Sequence, residues 1–161
     1  MQSPYWIDAD VLIQASNLHY RFQRVPKFWV FLEEQVQNGV IRCPKIIWQE
    51  VCDGTGDLAQ WMQTRRSTGF CVSASKSVQQ QFGNVSAYVV EKYKGYQAAE
   101  FLRGGDGWAI AHVLDSGGTV VTQESPRSKR GGIKVPTVCK GLNVRCLDTF
   151  KMLDEMDAGP F

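Results

Sequence analysis

Tyr5-Trp6-Ile7-Asp8-Ala9-Asp10-Val11-Leu12-Ile13 is the stretch on which the fold turns. Tyr5, Trp6 and Ile7 are apolar and favour extended backbone, and the run stops at Asp8. Val11, Leu12 and Ile13 follow at once, so a short buried strand passes into a helix from about Ala9. The alternation continues outward. Residues 17–24 read as a loop or short turn. Pro26 opens a helix to Gln37, with Phe28, Val30, Phe31, Leu32 and Val36 at helical spacing. Residues 40–43 read as a second strand, and Pro44 starts a helix carrying Ile46, Ile47, Glu50 and Val51. Helices are also predicted over 58–66, from Ser75 or Ser77 towards Lys92, and over 108–114, 136–142 and 148–156. Thr119-Val120-Val121-Thr122, set off by Gly117-Gly118, is a β-branched strand that leads into a polar loop over 123–132. Short strands are predicted at 133–135 and 144–147. Short apolar strands alternating with helices predict an α/β fold. Three layers, α/β/α, enclose a central parallel sheet of about four or five strands.

The chain has 161 residues, which suits one domain spanning 1–161. Hydrophobic residues make up 43%, enough apolar side chain to bury, so disorder is excluded as the main state. No apolar run approaches the roughly 20 residues of a membrane span. The first eight residues carry no basic region and no long apolar run, so no signal peptide is read. Five cysteines form no C-x-x-C pair, and His19 and His112 stand too far apart to suggest a zinc site. Reduced thiols in a cytoplasmic protein are the expectation. A formal net charge of +2 names no partner by itself.

Parallel sheets place ligand chemistry at the carboxyl ends of their strands. The acids fall there. Asp8 ends the first strand and Asp10 follows it; Thr122 ends the 119–121 strand and Glu124 comes two residues on. Asp106 opens the helix leading into that strand, and Glu50 lies on the helix after the 40–43 strand. Carboxylates gathered without a cation repel one another and hold protons near neutral pH. Mg2+ or Mn2+ relieves that cost, because both prefer oxygen ligands and bind through a few carboxylates plus substrate phosphate. The chemistry suggested is metal-assisted phosphodiester hydrolysis.

These segments resemble the PIN domain. Tyr-Trp-Ile-Asp8-Ala-Asp10-Val-Leu-Ile looks like its usual opening, a strand into D-T-N-V-L-I, with Asp10 in place of the Asn. Glu50 in Ile-Ile-Trp-Gln-Glu-Val matches the second acidic position. Asp106 in Gly-Gly-Asp-Gly-Trp-Ala-Ile-Ala matches the third, usually A-D-x-x-I-A. Thr119-Val-Val-Thr122-Gln-Glu124 is similar to the fourth, with Glu124 where an Asp is usual. The likeness covers most of the chain, in order. It is nearest a PIN-like group resembling toxins of the virulence-associated protein C type, with a loop such as Tyr20-Arg-Phe before Pro26-Lys-Phe-Trp29 and an ending like Ile133-Lys-Val-Pro136-Thr-Val-Cys139.

The resemblance implies a metal-dependent endoribonuclease, the toxin of a toxin–antitoxin pair, with RNA as substrate, a cognate antitoxin and a homodimer. It implies Asp8, Asp106 and Glu50 as ligands of Mg2+ or Mn2+, Glu124 completing the catalytic acids, and Asp10 and Thr122 in support. Arg127, Lys129 and Arg130 leave the same sheet edge and, with Arg21 and Arg24, are expected to hold RNA phosphates. Tyr20 and Phe22 are expected to stack bases. Two other readings stand beside this one. The first is a PIN-like nucleic-acid-binding module without catalysis. The second is a phosphatase of the haloacid-dehalogenase type using Asp8 as nucleophile, whose motif order is broken here because Gly105-Asp106 precedes Thr122.

Overall fold

The computed structural model describes residues 3–66, 68–126 and 131–161. Arg127, Lys129 and Arg130 lie outside the described residues. Five parallel strands form one sheet in the order β3-β2-β1-β4-β5. They are β1 (Tyr5–Ile7), β2 (Ile41–Pro44), β3 (Cys71–Val72), β4 (Thr119–Val121) and β5 (Cys146–Leu147). Tyr5, Trp6 and Ile7 lie beside Thr119, Val120 and Val121. β1 and β4 are buried along their whole length, so both read as continuous apolar runs rather than alternating ones.

The helices are α1 (Ala9–Gln14), α2 (Pro26–Gln37), α3 (Lys45–Cys52), α4 (Asp57–Gln63), α5 (Lys76–Lys92), α6 (Gly95–Arg103), α7 (Asp106–Ser116), α8 (Val135–Gly141) and α9 (Thr149–Glu155). α7 packs on β1, β2 and β4, and α5 packs along α7; α2 covers β2, while α3 meets β2 and β3. The strand order runs outward through β2 and β3, then returns to β4 and β5 on the other side of β1. Right-handed crossovers send the helices of these two halves to opposite faces, giving the three layers. No helix among the described residues is long and apolar enough to cross a membrane.

The predicted strands and helices occur, with three corrections. Residues 133–135 form no strand: Val135 is buried at the start of α8, where Pro136 occupies a first-turn position that needs no amide. The predicted loop after α1 begins with a π-helical turn, Ala15–His19. The expected helix over 58–66 starts at Asp57 and ends at Gln63. The structure adds β3, only two residues long, and α6, whose buried side is Ala98 and Phe101. The tight entry into β4 rests on Gly118, at φ +116°; a Cβ there would stand 2.3 Å from the Pro4 carbonyl oxygen.

The core contains one histidine. His112 is 2% exposed and stacks on Trp6 with centroids 4.2 Å apart. Burial pushes it down to about 4; Asp115 pulls the other way and Arg42 adds to the depression. The unfolded chain therefore takes up this proton as pH falls from about 6.5 to about 4 while the folded protein refuses it, so stability falls with pH in that window. We expect His112→Leu to remove on the order of 2 kcal/mol of this acid sensitivity, read as a smaller drop in melting temperature between pH 7 and pH 4.5. An unchanged pH slope would show that His112 takes its proton without unfolding the core.

Candidate active site

The strand order reverses beside β1, with β4 on one side and β2 on the other, and this is where open α/β sheets bind ligands. The Asp8 N–H donates to the Val121 carbonyl (3.1 Å), which sets Asp8 beside the end of β4. Asp8 is also the N-cap of α1, its Oδ1 accepting from the Val11 N–H at 3.4 Å. The carboxyl is 2% exposed. Burial first, then a hydrogen bond and repulsion from Asp10, hold it well above the usual carboxylate range; the Thr122 hydroxyl pulls it down, and Asp106 adds to the rise. Two carboxyls sharing a hydrogen bond need one proton between them.

Asp10 ties the two halves of the site together. Its Oδ1 accepts from the Gln123 N–H (3.1 Å) and its Oδ2 from the Thr122 hydroxyl (3.5 Å). The same hydroxyl accepts from the Glu124 N–H (3.1 Å), and Glu124 Oε2 accepts from the Val135 N–H (2.8 Å). Asp106, at the start of α7, is pushed up to about 7, mainly by burial and then by the charges of Glu124, Asp10 and Glu50. Acids at positions 8, 10, 50, 106 and 124 thus share one electrostatic field.

Glu50 reaches that field from α3. Its carboxylate accepts from the Gly105 N–H, which lowers its affinity for a proton, while desolvation raises it. Gly105 is there because nothing larger fits: an added Cβ would stand 2.3 Å from Ile47 Cγ1. The α3–α7 contact that brings Glu50 towards Asp106 therefore depends on a missing methyl. Gly105→Ala is expected to cost about 1–3 kcal/mol, and the cost should shrink in an Ile47→Ala background, read by melting temperatures in a double-mutant cycle. Strict additivity would mean that Gly105 and Ile47 do not meet.

Among the described residues, no group of three or more His, Cys, Asp or Glu side chains is arranged so that it could hold a metal ion. Asp8, Asp106 and Glu50 accordingly do not close on one point. The donor chemistry still suits a hard cation: every group is a carboxyl or hydroxyl oxygen, and Asp8 and Asp106 carry raised proton affinity of the kind a dication would displace. Mg2+ needs only one or two carboxylates, because it keeps several of its waters.

A cavity of about 240 Å3 opens at Asp106 and Glu124, with Lys134 and Glu100 in its wall. Lys134 belongs with the basic run 127–130 that the sequence marks as a candidate phosphate holder, whereas Glu100 carries no signal of its own in the sequence. Arg21 and Arg24 lie elsewhere, in the turn before α2, where Arg21 Nε donates to the Asn17 carbonyl (3.0 Å). The aromatics of that turn are corrected from the sequence expectation. Tyr20 stacks on Phe28 (4.1 Å) and Phe22 on Trp29 (3.9 Å), so these rings pack against the core instead of offering free faces to bases.

Residues 5–159 match the family described as Domain of unknown function (DUF4411). No curated protein matches the chain. A chain in the crystal structure of VapBC2 from Rickettsia felis, bound to a DNA fragment from their promoter, aligns with a TM-score of 0.57 at 15% identity. The alignment covers 89% of this chain and 97% of that one. At that identity the likeness speaks for the fold, and it agrees with the five-stranded parallel sheet and its two helical layers. The chain belongs to the DUF4411 family, and its three-layer α/β/α fold is PIN-like, shared with a chain of the VapBC2 structure.

Proposed function

We propose that this protein is a metal-dependent endoribonuclease. The observation that carries the reading is the convergence of Asp8, Asp10, Glu50, Asp106 and Glu124 in one field at the sheet's switch point, with Asp106 pushed up to about 7. Of the three expected ligands, Asp8 and Asp106 would hold Mg2+ or Mn2+, and Glu50, which completes no three-ligand group among the described residues, would add negative charge beside them. Bound there, the cation supplies charge compensation for the acids, a more acidic water, and stabilisation of charge developing on a phosphodiester. The protein's own part is placement. Asp10 fixes the end of β4 through Gln123 and Thr122. Thr122 holds the Glu124 backbone, and Val135 holds its carboxylate at the rim of the cavity. Lys134 lines the same cavity and gives substrate phosphate an opposite charge among the acids. A cognate antitoxin, a homodimer and a role as the toxin of such a pair belong to the same reading. The VapBC2 structure, whose fold this chain shares, lends it support.

The test is incubation of the full chain with labelled RNA and Mg2+ or Mn2+, with and without chelator, followed by mapping of the new ends. We expect cleavage that stops with chelator. Cleavage unaffected by chelator, or none with either metal, overturns the proposal. A second reading, a PIN-like module that binds nucleic acid without cutting it, is favoured by the absence of a closed three-ligand group among the described residues. Calorimetric titration separates the two, because such a module gives no Mn2+ binding that Asp106→Asn abolishes.

A further inference from the structure

A second cavity adjoins the acids. It measures about 460 Å3 and lies between the ends of β4 and β5, the last residue of α1 and the start of α9. Glu124 lines both this cavity and the smaller one at Asp106, so the two meet at that side chain. Its volume falls within the roughly 300–1,000 Å3 of ordinary ligand pockets. Phe150 stands in its wall, 43% exposed, an aromatic ring that the core leaves out. His19, at the end of the π-helical turn, meets Phe150 edge-on at 5.1 Å. Local π-helix is frequent at functional sites.

The remaining wall says what kind of group fits. Glu124 and Asp148 place negative charge there, which opposes a phosphate inside the cavity. A neutral planar ring meets no such opposition and stacks on an exposed aromatic face. Gln123, whose Oε1 is taken by the Thr149 N–H (3.1 Å), keeps its amide donors for a base edge. Lys151 adds one cation for the connecting backbone.

We propose that this cavity seats an unpaired nucleobase of the RNA, stacked on the exposed ring of Phe150 with His19 standing nearly perpendicular beside it, one step along the strand from the phosphate at Asp106 and Glu124. The inference rests on the nuclease reading and gives it a preference for single-stranded substrate.

The test uses fluorescently labelled single-stranded RNA oligonucleotides of each base, and a duplex of the same length. Anisotropy is measured with the full chain in chelator and with the Asp106→Asn chain in Mg2+. Single strands should bind more tightly than the duplex. Phe150→Ala should weaken the best single strand by roughly 5- to 150-fold, the loss of one stacked base, while Phe150→Tyr restores it. Circular dichroism melts check that Phe150→Ala stays folded. Equal binding of duplex and single strand, or less than a twofold effect of Phe150→Ala, overturns the inference even where the protein cleaves RNA. Stacking that depends on Phe150 without cleavage keeps the inference and removes the nuclease.

Discussion

Asp8→Asn and Asp106→Asn each lower metal-dependent RNA cleavage by at least about 100-fold, the scale on which a single group placed to meet developing charge acts. The substitution keeps shape and removes charge. At position 8 the asparagine oxygen still accepts from the Val11 N–H, so the start of α1 keeps its cap. At position 106 the side chain caps nothing, because Gly105 precedes the helix as its N-cap residue. Loss of activity in these variants therefore reports on the site and not on the fold, which circular dichroism and an unchanged or raised melting temperature would verify. Glu124→Gln should act more weakly, since its amide oxygen can still accept from Val135 and hold the loop. Full activity in both the Asp8 and Asp106 variants would remove these residues from the reaction.

Much of this site is legible in the sequence because its first members sit at strand ends. β1 and β4 are apolar and β-branched or aromatic, and the chain leaves each at a polar residue, so Asp8 and Thr122 are marked by the change of character itself. Asp106 is marked by the two glycines before a helical apolar run. Their meeting follows from the topology, since β1 and β4 are neighbours although more than a hundred residues separate them. Other parts are written in weaker signals. β3 has two residues, and its pairing of Cys43 with Cys71 depends on a neighbour already in place. α6 begins Gly-Tyr-Gln and buries only Ala98 and Phe101, a stripe too sparse to announce itself. Ile133-Lys134-Val135 has strand-like residues, but Pro136 cannot donate to a ladder and suits a first helical turn instead. Phe150 and His19 look ordinary in the chain, and their contact exists only once α9 lies beside the π-helical turn. Tyr20 and Phe22 show the reverse: an aromatic, basic loop suggests stacking on bases, and the rings are consumed by Phe28 and Trp29.

The apo-protein's stability should carry the signature of this site. Asp106 is pushed from an ordinary 3.8 up to about 7 by burial and by Glu124, Asp10 and Glu50. Between those values the folded protein keeps the proton and the unfolded chain releases it, so folding weakens as pH rises through the window. Above about 7 both states are ionised and the full cost remains, roughly 4 kcal/mol at 1.36 kcal/mol per unit. This slope opposes that of His112, which loses stability as pH falls, so the total curve is flatter than either part and only variants separate them. In chelator at pH 8, Asp106→Asn should melt several degrees above the unsubstituted protein, and the gap should close by pH 4.5. A dication that binds the ionised cluster must stabilise the folded form by RT ln(1 + [L]/Kd). Mg2+ should therefore raise the melting temperature of the unsubstituted protein at pH 8 and less so at pH 5.5, where the proton on Asp106 competes, and it should do little for Asp106→Asn at either pH. A melting temperature equally responsive to Mg2+ in both proteins would place the ion elsewhere. Asp106→Asn melting no higher than its parent in chelator would show that the acids do not strain one another, and the case for a cation at this switch point would lose its physical ground.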